Sequence, residues 1–222
     1  MWGMKRALVI GASGGIGFAV AQELDARGFE VTGVSRSADG LDVTDPAAVK
    51  RVLGALSGPF DVVFVAIGTL AAGGAPEKTL RAIDARAMAQ IYTINAIGPA
   101  LVLAQLEHLL PRDRPSFTGV LSARVGSIGD NKIGGWHSYR ASKAALNQIV
   151  HGAAIEIGRK RREAVIVALH PGTVETEFTA SYPSHKKVTA QVAAANLCDV
   201  LLGLDATKSG GFYDYSGAEI LW

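Results

Sequence analysis

The feature that most constrains this chain lies near its N-terminus. An apolar, strand-like run at residues 7–10 leads into Gly11-Ala12-Ser13-Gly14-Gly15-Ile16-Gly17. A helical pattern follows over residues 15–27, with Ile16, Val20 and Leu24 at i, i+4 spacing. Glycines permit a tight turn and let an anion approach the backbone. The helix N-terminus behind them offers free N–H groups and a positive dipole end. The spacing is Gly-x-x-x-Gly-x-Gly. It fits Gly-x-Gly-x-x-Gly in no register, and no Lys-Ser/Thr follows to make a P-loop. Alone, the run also reads as a glycine-rich turn with no ligand.

The rest of the chain alternates short β-rich runs with longer helical ones. Strands are expected at residues 30–34, 61–67, 119–122, 164–169 and 211–215. Helices are expected at 46–56, 82–110, 138–161 and 190–204. Asp45 is a plausible N-cap with Pro46 at the first helical position, and Pro111 closes the long helix. The run at 61–67 is almost continuously apolar, as in a strand buried on both faces. Such alternation implies a parallel sheet with helices on both sides, and ligands beyond the C-terminal ends of the strands. No linker or repeat divides residues 1–222, so one domain is expected.

Composition narrows the function classes. Hydrophobic residues make up 49% and charged residues 19%, which suits a compact globular chain. A net charge of +2 gives no reason to expect a nucleic-acid partner. The basic run Arg159-Lys160-Arg161-Arg162 reads as a solvated helix end. The single cysteine, Cys198, can form no internal disulfide, and no Cys/His cluster suggests a metal. Residues 1–6 show no signal-peptide pattern, and no apolar run reaches membrane-spanning length. These readings lead us to expect a cytoplasmic protein with no membrane partner.

Two further clusters carry chemistry. About 20 residues past the glycine turn, a carboxylate would suit the ribose of NAD, whereas arginine suits the 2′-phosphate of NADP. Here the sequence is Ser35-Arg36-Ser37, so NADP(H) is expected over NAD(H). The plainer alternative is a solvated arginine. Tyr139 and Lys143 stand four apart at the start of a predicted helix, on one face. A phenol is a poor proton shuttle at neutral pH unless a nearby cation, from lysine or an oxidised nicotinamide, favours its phenolate. Tyr-x-x-x-Lys alone is weak evidence. It gains weight by following a dinucleotide turn.

In order, Gly11-x-x-x-Gly15-x-Gly17, Asp42-Val43, Asn95, Tyr139-x-x-x-Lys143 and Pro171-Gly172-Thr173-Val174-Glu175-Thr176 resemble the short-chain dehydrogenase/reductase family over nearly the whole chain. Residues 126–131, 139–147 and the ending from Phe212 to Trp222 look most like its C-factor-like branch. The resemblance implies a single α/β domain of the doubly wound Rossmann type, with a parallel sheet of six or seven strands. It implies a dinucleotide held by Gly11, Ser13, Gly14, Gly15, Ile16, Gly17, Ser35, Arg36, Asp42, Val43, Ala66, Gly68, Tyr139, Lys143, Pro171, Gly172, Val174 and Thr176. Asp42 would face the adenine amino group. Asn95 would kink the long helix and hold a relay water. Lys143 would bind the nicotinamide ribose, and Val174 and Thr176 would hold the carboxamide and a nearby phosphate. Asp42 as a turn aspartate and Asn95 as a turn cap are the plainer alternatives.

The chain departs from the family pattern in three places. The family's Asn-Asn-Ala-Gly is Val65-Ala66-Ile67-Gly68 here. The family's catalytic serine position is Ala123, so the serine is Ser127, Ser122 or neither, with Ser127 preferred because it lies on the loop leading to Tyr139. Few residues separate Arg36 from Asp42, so a shortened or missing third strand and a more open adenine pocket are expected. His170, at a strand end before Pro171-Gly172, either faces the cofactor or, the preferred reading, is packed and hydrogen-bonded. Trp136 and His137 either line the substrate pocket or pack at the surface. Residues 176–188 correspond to the family's substrate lid. The function implied is hydride transfer between NADP(H) and a small carbonyl or alcohol substrate, with homodimers or homotetramers formed by pairing the helices at 82–110 and 138–161. The alternatives are a dinucleotide-binding signalling protein with little turnover and, less favoured for want of an added substrate domain, a sugar epimerase or dehydratase.

Overall fold

The computed structural model describes residues 5–176 and 187–222. Its centre is a six-stranded, all-parallel sheet in the order β2-β1-β3-β4-β5-β6. The strands are β1 (Arg6–Ile10), β2 (Glu30–Val34), β3 (Val62–Val65), β4 (Ser116–Leu121), β5 (Ala164–His170) and β6 (Phe212–Asp214). The order runs outward from β1 to β2 on one side and to β3 on the other. The sheet therefore reverses direction beside β1, where a doubly wound sheet opens its ligand crevice.

Strands β1, β3 and β5 are apolar on both faces because both faces are covered. Leu8 and Ile10 of β1 join one core with Leu53, Leu103, Leu146 and Val150. Ala7 and Val9 join the other with Val20, Leu24, Leu197 and Leu201. The first face is covered by α3 (Pro46–Gly54), α5 (Gly98–Leu103) and α6 (His137–Gly158). The second is covered by α1 (Gly15–Ala26) and α7 (Ala190–Gly203). Burial on both sides fixes the sheet's register and so the place where each strand ends.

One expectation needs correction. The helix expected at 82–110 is not one element. Asp84 caps α4 (Ala85–Tyr92), its carboxylate accepting from Ala87 N at 2.8 Å. A π-helical turn (Thr93–Ile97) then widens the helix, and α5 ends at Leu103, with turns over residues 104–110. The apolar period continues through those turns because Leu106, Leu109 and Leu110 still point into the core. The strand between Arg36 and Asp42, expected to be shortened or missing, is missing among the described residues. Between Arg36 and Asp42 the chain makes one helical turn, α2 (Arg36–Asp39). Ser35 Oγ caps it by accepting from Ala38 N, and Asp39 folds back to accept from Ser35 N at 2.7 Å. Gly40, at φ 68°, ends it in the left-handed region that glycine tolerates.

The Asp45 cap behaves as expected: its carboxylate accepts from Ala47 N at 2.9 Å, with Pro46 at the first helical position. The basic run at 159–162 closes α6 against the preceding turn. Lys160 pairs with Glu107, and Arg161 donates to Glu107 O at 2.7 Å. No described helix is long and apolar enough to cross a membrane.

Candidate active site

The C-terminal ends of β1, β3, β4 and β5 open into one cavity of about 770 Å³. The glycine turn forms one wall. Gly11 stands at φ 88°, and a Cβ there would lie 2.4 Å from Ala66 O. A Cβ on Gly17 would lie 2.2 Å from Gly11 O. These two glycines let β1, β3 and α1 meet. Helix α1 begins at Gly14 with no side-chain cap and no acidic residue in its first turn. Its first-turn N–H groups therefore face the cavity wall of Ser13, Gly14, Gly15, Ile16 and Gly17. An anion at a helix N-terminus fits such a cradle.

At the other end stands α6. Tyr139 and Lys143 lie one turn apart, both buried and both lining the cavity. Lys143 Nζ donates to Leu121 O at 3.0 Å, which ties the helix to the end of β4. A Cβ on Gly68 would lie 3.3 Å from Lys143 Nζ and 3.5 Å from Asn95 Oδ1, so the missing side chain leaves room between them. Asn95 is fully buried in the π-helical turn. Its Nδ2 donates to Thr69 O and to Ser142 Oγ, and its Oδ1 accepts from Thr69 N at 2.7 Å. It thus ties the loop after β3 to α6 and sits where the helix is deformed.

Burial alone governs the charges of the reacting pair. It pushes the Tyr139 phenol well above its ordinary range and the Lys143 ammonium down to about 7. A stability test follows from the sign. Lys143 falls from 10.5 to about 7 on folding, so the unfolded chain binds the extra proton between those values. Stability from this group is present at high pH and is lost as pH falls through about 7. Without added dinucleotide, the thermal midpoint should rise by about 5 °C or more from pH 7 to 9.5, and Lys143→Met should remove that increment. Parallel curves for the two proteins would contradict it.

The other site residues divide into two groups. Ala66, Gly68, Pro171, Gly172, Val174 and Thr176 line the cavity, and Thr176 packs over Gly15. Ser35, Arg36, Asp42 and Val43 lie outside it, at the open end beyond β2. Arg36 is exposed and makes no ion pair among the described residues. Asp42 Oδ1 accepts from Thr44 N and Thr44 Oγ1, and Val43 packs against Gly98. Of residues 176–188, only Thr176, Lys187 and Val188 are described.

The preference for Ser127 is not supported by the geometry. Ser127 is buried outside the cavity, where its Oγ accepts from Asp130 N. Ser122 does line the cavity, but its hydroxyl donates to Asn147 Oδ1 at 2.6 Å. Ala123 lines the cavity beside it. His170 takes the less favoured of its two placements: it lines the cavity, its Nδ1 has no hydrogen-bond partner among the described residues, and burial with the nearby Arg124 charge pushes it down to about 4. Trp136 lines the cavity too, its ring edge on Tyr139 at 6.2 Å between centroids.

Sequence reading missed Glu77, Asn147 and Leu70. Glu77 reaches the start of α6, Asn147 holds Ser122, and Leu70 lines the cavity. Only Asn147 carried a signal: it lies eight residues after Tyr139, on the stripe shared with Lys143.

A family model described as enoyl-(acyl carrier protein) reductase matches residues 11–202. The chain belongs to the short-chain dehydrogenase/reductase family. Among its relatives, 1-hydroxy-2-glutathionyl-2-methyl-3-butene dehydrogenase of Rhodococcus sp. (strain AD45) is 30% identical, over 99% of this chain and 100% of that one. The C-signal protein of Myxococcus xanthus is 34% identical over 63% of this chain and 81% of its own. A Burkholderia multivorans protein described as a short-chain dehydrogenase/reductase, solved with NADP bound, superposes with a TM-score of 0.85 at 30% identity. That match covers 99% of this chain and 100% of the other. Membership in this oxidoreductase family agrees with the parallel sheet, the glycine cradle and the buried Tyr139–Lys143 pair.

Proposed function

We propose that this member of the family transfers hydride between NADP(H) and a small carbonyl or alcohol substrate, with Tyr139 as general acid and base. The observation that carries this reading is the placement of Tyr139 and Lys143. They stand buried on one face of α6 and line the same cavity as the glycine cradle. When bound, the dinucleotide supplies or accepts the hydride. The chain's own residues do the rest. The first turn of α1 holds the pyrophosphate, and exposed Arg36 meets the 2′-phosphate at the open end. Lys143 binds the nicotinamide ribose. Val174 and Thr176 hold the carboxamide and a nearby phosphate, and Asp42 and Val43 flank the adenine. Burial keeps the proton on Tyr139, ready for donation to a carbonyl oxygen as hydride reaches its carbon. Asn95 positions Thr69 and Ser142 around the pair.

Ser122 has its proton on Asn147, Ser127 stands outside the cavity, and Ala123 has no hydroxyl to offer. On this reading Tyr139 activates the carbonyl alone. Ala123→Ser should then raise kcat by about tenfold, because a preorganised donor at a developing oxyanion is worth at least that, while Ser122→Ala costs less than about threefold. A loss of about 100-fold or more in Ser122→Ala would instead make Ser122 the polarising hydroxyl.

A second reading, a dinucleotide-binding signalling protein with little turnover, draws on the same missing hydroxyl. NADPH consumption against aldehydes, ketones and quinones separates the two. The first requires substrate-dependent oxidation and tighter binding of NADPH than NADH. Tight binding with no oxidation would favour the second. We also propose a cytoplasmic homodimer or homotetramer pairing α4–α5 with α6, where Ile97 and Ile155 are about half exposed. A monomeric mass in solution would contradict it.

A further inference from the structure

The first turn of α6, which carries Tyr139, is held from outside. Its N-cap residue, Trp136, supplies no side-chain cap. Trp136 stands at φ 50° and ψ 42°, the one non-glycine residue with positive φ among the described residues. It follows Gly134 (φ 71°) and Gly135 (φ 65°), so the entry to α6 is left-handed over three residues. A bulky side chain keeps that conformation only where its surroundings hold it.

Glu77 supplies the hold. It lies on the long loop between β3 and α4, next to buried Pro76. Its backbone carbonyl accepts from Trp136 N. Its carboxylate accepts from Ser138 N at 3.3 Å and from Ser138 Oγ. Ser138 is fully buried. Those N–H groups belong to the helix start, which has no intrahelical acceptors and needs partners when buried. The anion also stands at the positive end of the helix. Burial pushes the Glu77 carboxyl up, but the bonds from Ser138, with the His137 charge, outweigh it and hold the group below its ordinary range.

The same loop is pinned at its other end. Asn95 grips Thr69 by both backbone groups, and Ile67, Gly68 and Leu70 line the cavity. The loop therefore runs from the cavity wall to the start of the Tyr139 helix, and Trp136 returns to the cavity with its ring edge on Tyr139.

We propose that Glu77 is a positioning residue for Tyr139: by capping α6 from the β3–α4 loop and locking Trp136, it makes the seating of that loop on the cavity decide where the phenol stands. This rests on Tyr139 as the proton carrier, so the test has one arm that needs no turnover. In Glu77→Ala, hydrogen–deuterium exchange should quicken at residues 68–79 and 134–141 and stay unchanged in the sheet. Its kcat should fall about tenfold, the order of loss expected for a misplaced reacting group. NADPH affinity should stay within about twofold, because the glycine cradle is untouched.

Glu77→Gln keeps an amide oxygen to accept from Ser138 and should retain most of kcat. Should Glu77→Ala fail to fold, Ser138→Ala removes the hydroxyl donor alone and should give a smaller loss in kcat with the same split. Unchanged exchange, or kcat within about twofold of the parent in a folded Glu77→Ala protein, would overturn the proposal. If exchange quickens as expected but the parent reduces nothing, the reading of the reaction fails while the clamp stands. If the parent turns over, Tyr139→Phe does not, and Glu77→Ala matches the parent, the clamp alone fails.

Discussion

Tyr139→Phe should lower kcat for carbonyl reduction by roughly a thousandfold while changing NADPH affinity by less than about twofold. The first number is the usual worth of a positioned proton donor. The second follows from what the substitution keeps. The ring is buried, stands edge-on to Trp136, and lies on a helix fixed by Lys143 to Leu121 O and by Glu77 at its start. Phenylalanine preserves the ring, and the phosphate cradle lies at the other wall. Loss confined to kcat would mean the hydroxyl acts in the transition state, whereas a rise in KM alone would mean it only binds substrate.

Gly17→Ala should weaken NADPH binding by roughly 30- to 150-fold. The added Cβ would stand 2.2 Å from Gly11 O, a backbone atom that cannot swing aside. Helix α1 must then back away from the turn, and its first N–H groups move from the anion they face. Overpacking of this kind costs about 1–3 kcal/mol, with binding at the upper end because the cradle itself is displaced. Gly152→Ala is the matched control, since Gly152 is half-buried in α6 and a Cβ there meets nothing within 4 Å. Isothermal titration of both proteins with NADPH reads the difference directly. Equal affinities would show that the close approach of Gly17 to Gly11 does not build the phosphate site.

Much of this arrangement was legible in the residues. The glycine turn, the apolar strands and the Tyr139–Lys143 spacing are local signals, and each expected strand is present, though β4 begins three residues earlier and β3 is shorter than the apolar runs suggest. The helix at 82–110 was misjudged because Leu106, Leu109 and Leu110 continue its apolar rhythm through turns, which hydrophobic period does not distinguish from helix. The π-helical turn at Asn95 has no period of its own and is set by bonds to Thr69 and Ser142. Neither serine could be chosen from sequence, since the choice depends on whether Asn147, 25 residues from Ser122, takes the hydroxyl proton. Glu77 was invisible for the same reason: its partner Ser138 lies 61 residues away. Contacts across the fold, rather than along the chain, decide how a reacting group is held.

In the proposed reaction, hydride passes between a dinucleotide in the glycine cradle and a carbonyl carbon beside Tyr139. This transfer is tested most directly by incubating the protein with NADPH dideuterated at C4 of the nicotinamide and a panel of aldehydes and ketones, then analysing the products by mass spectrometry. The expected product is an alcohol carrying one deuterium on the former carbonyl carbon, formed by the parent protein and about a thousandfold more slowly by Tyr139→Phe. Tight NADPH binding with no deuterium transferred to any member of the panel would contradict it.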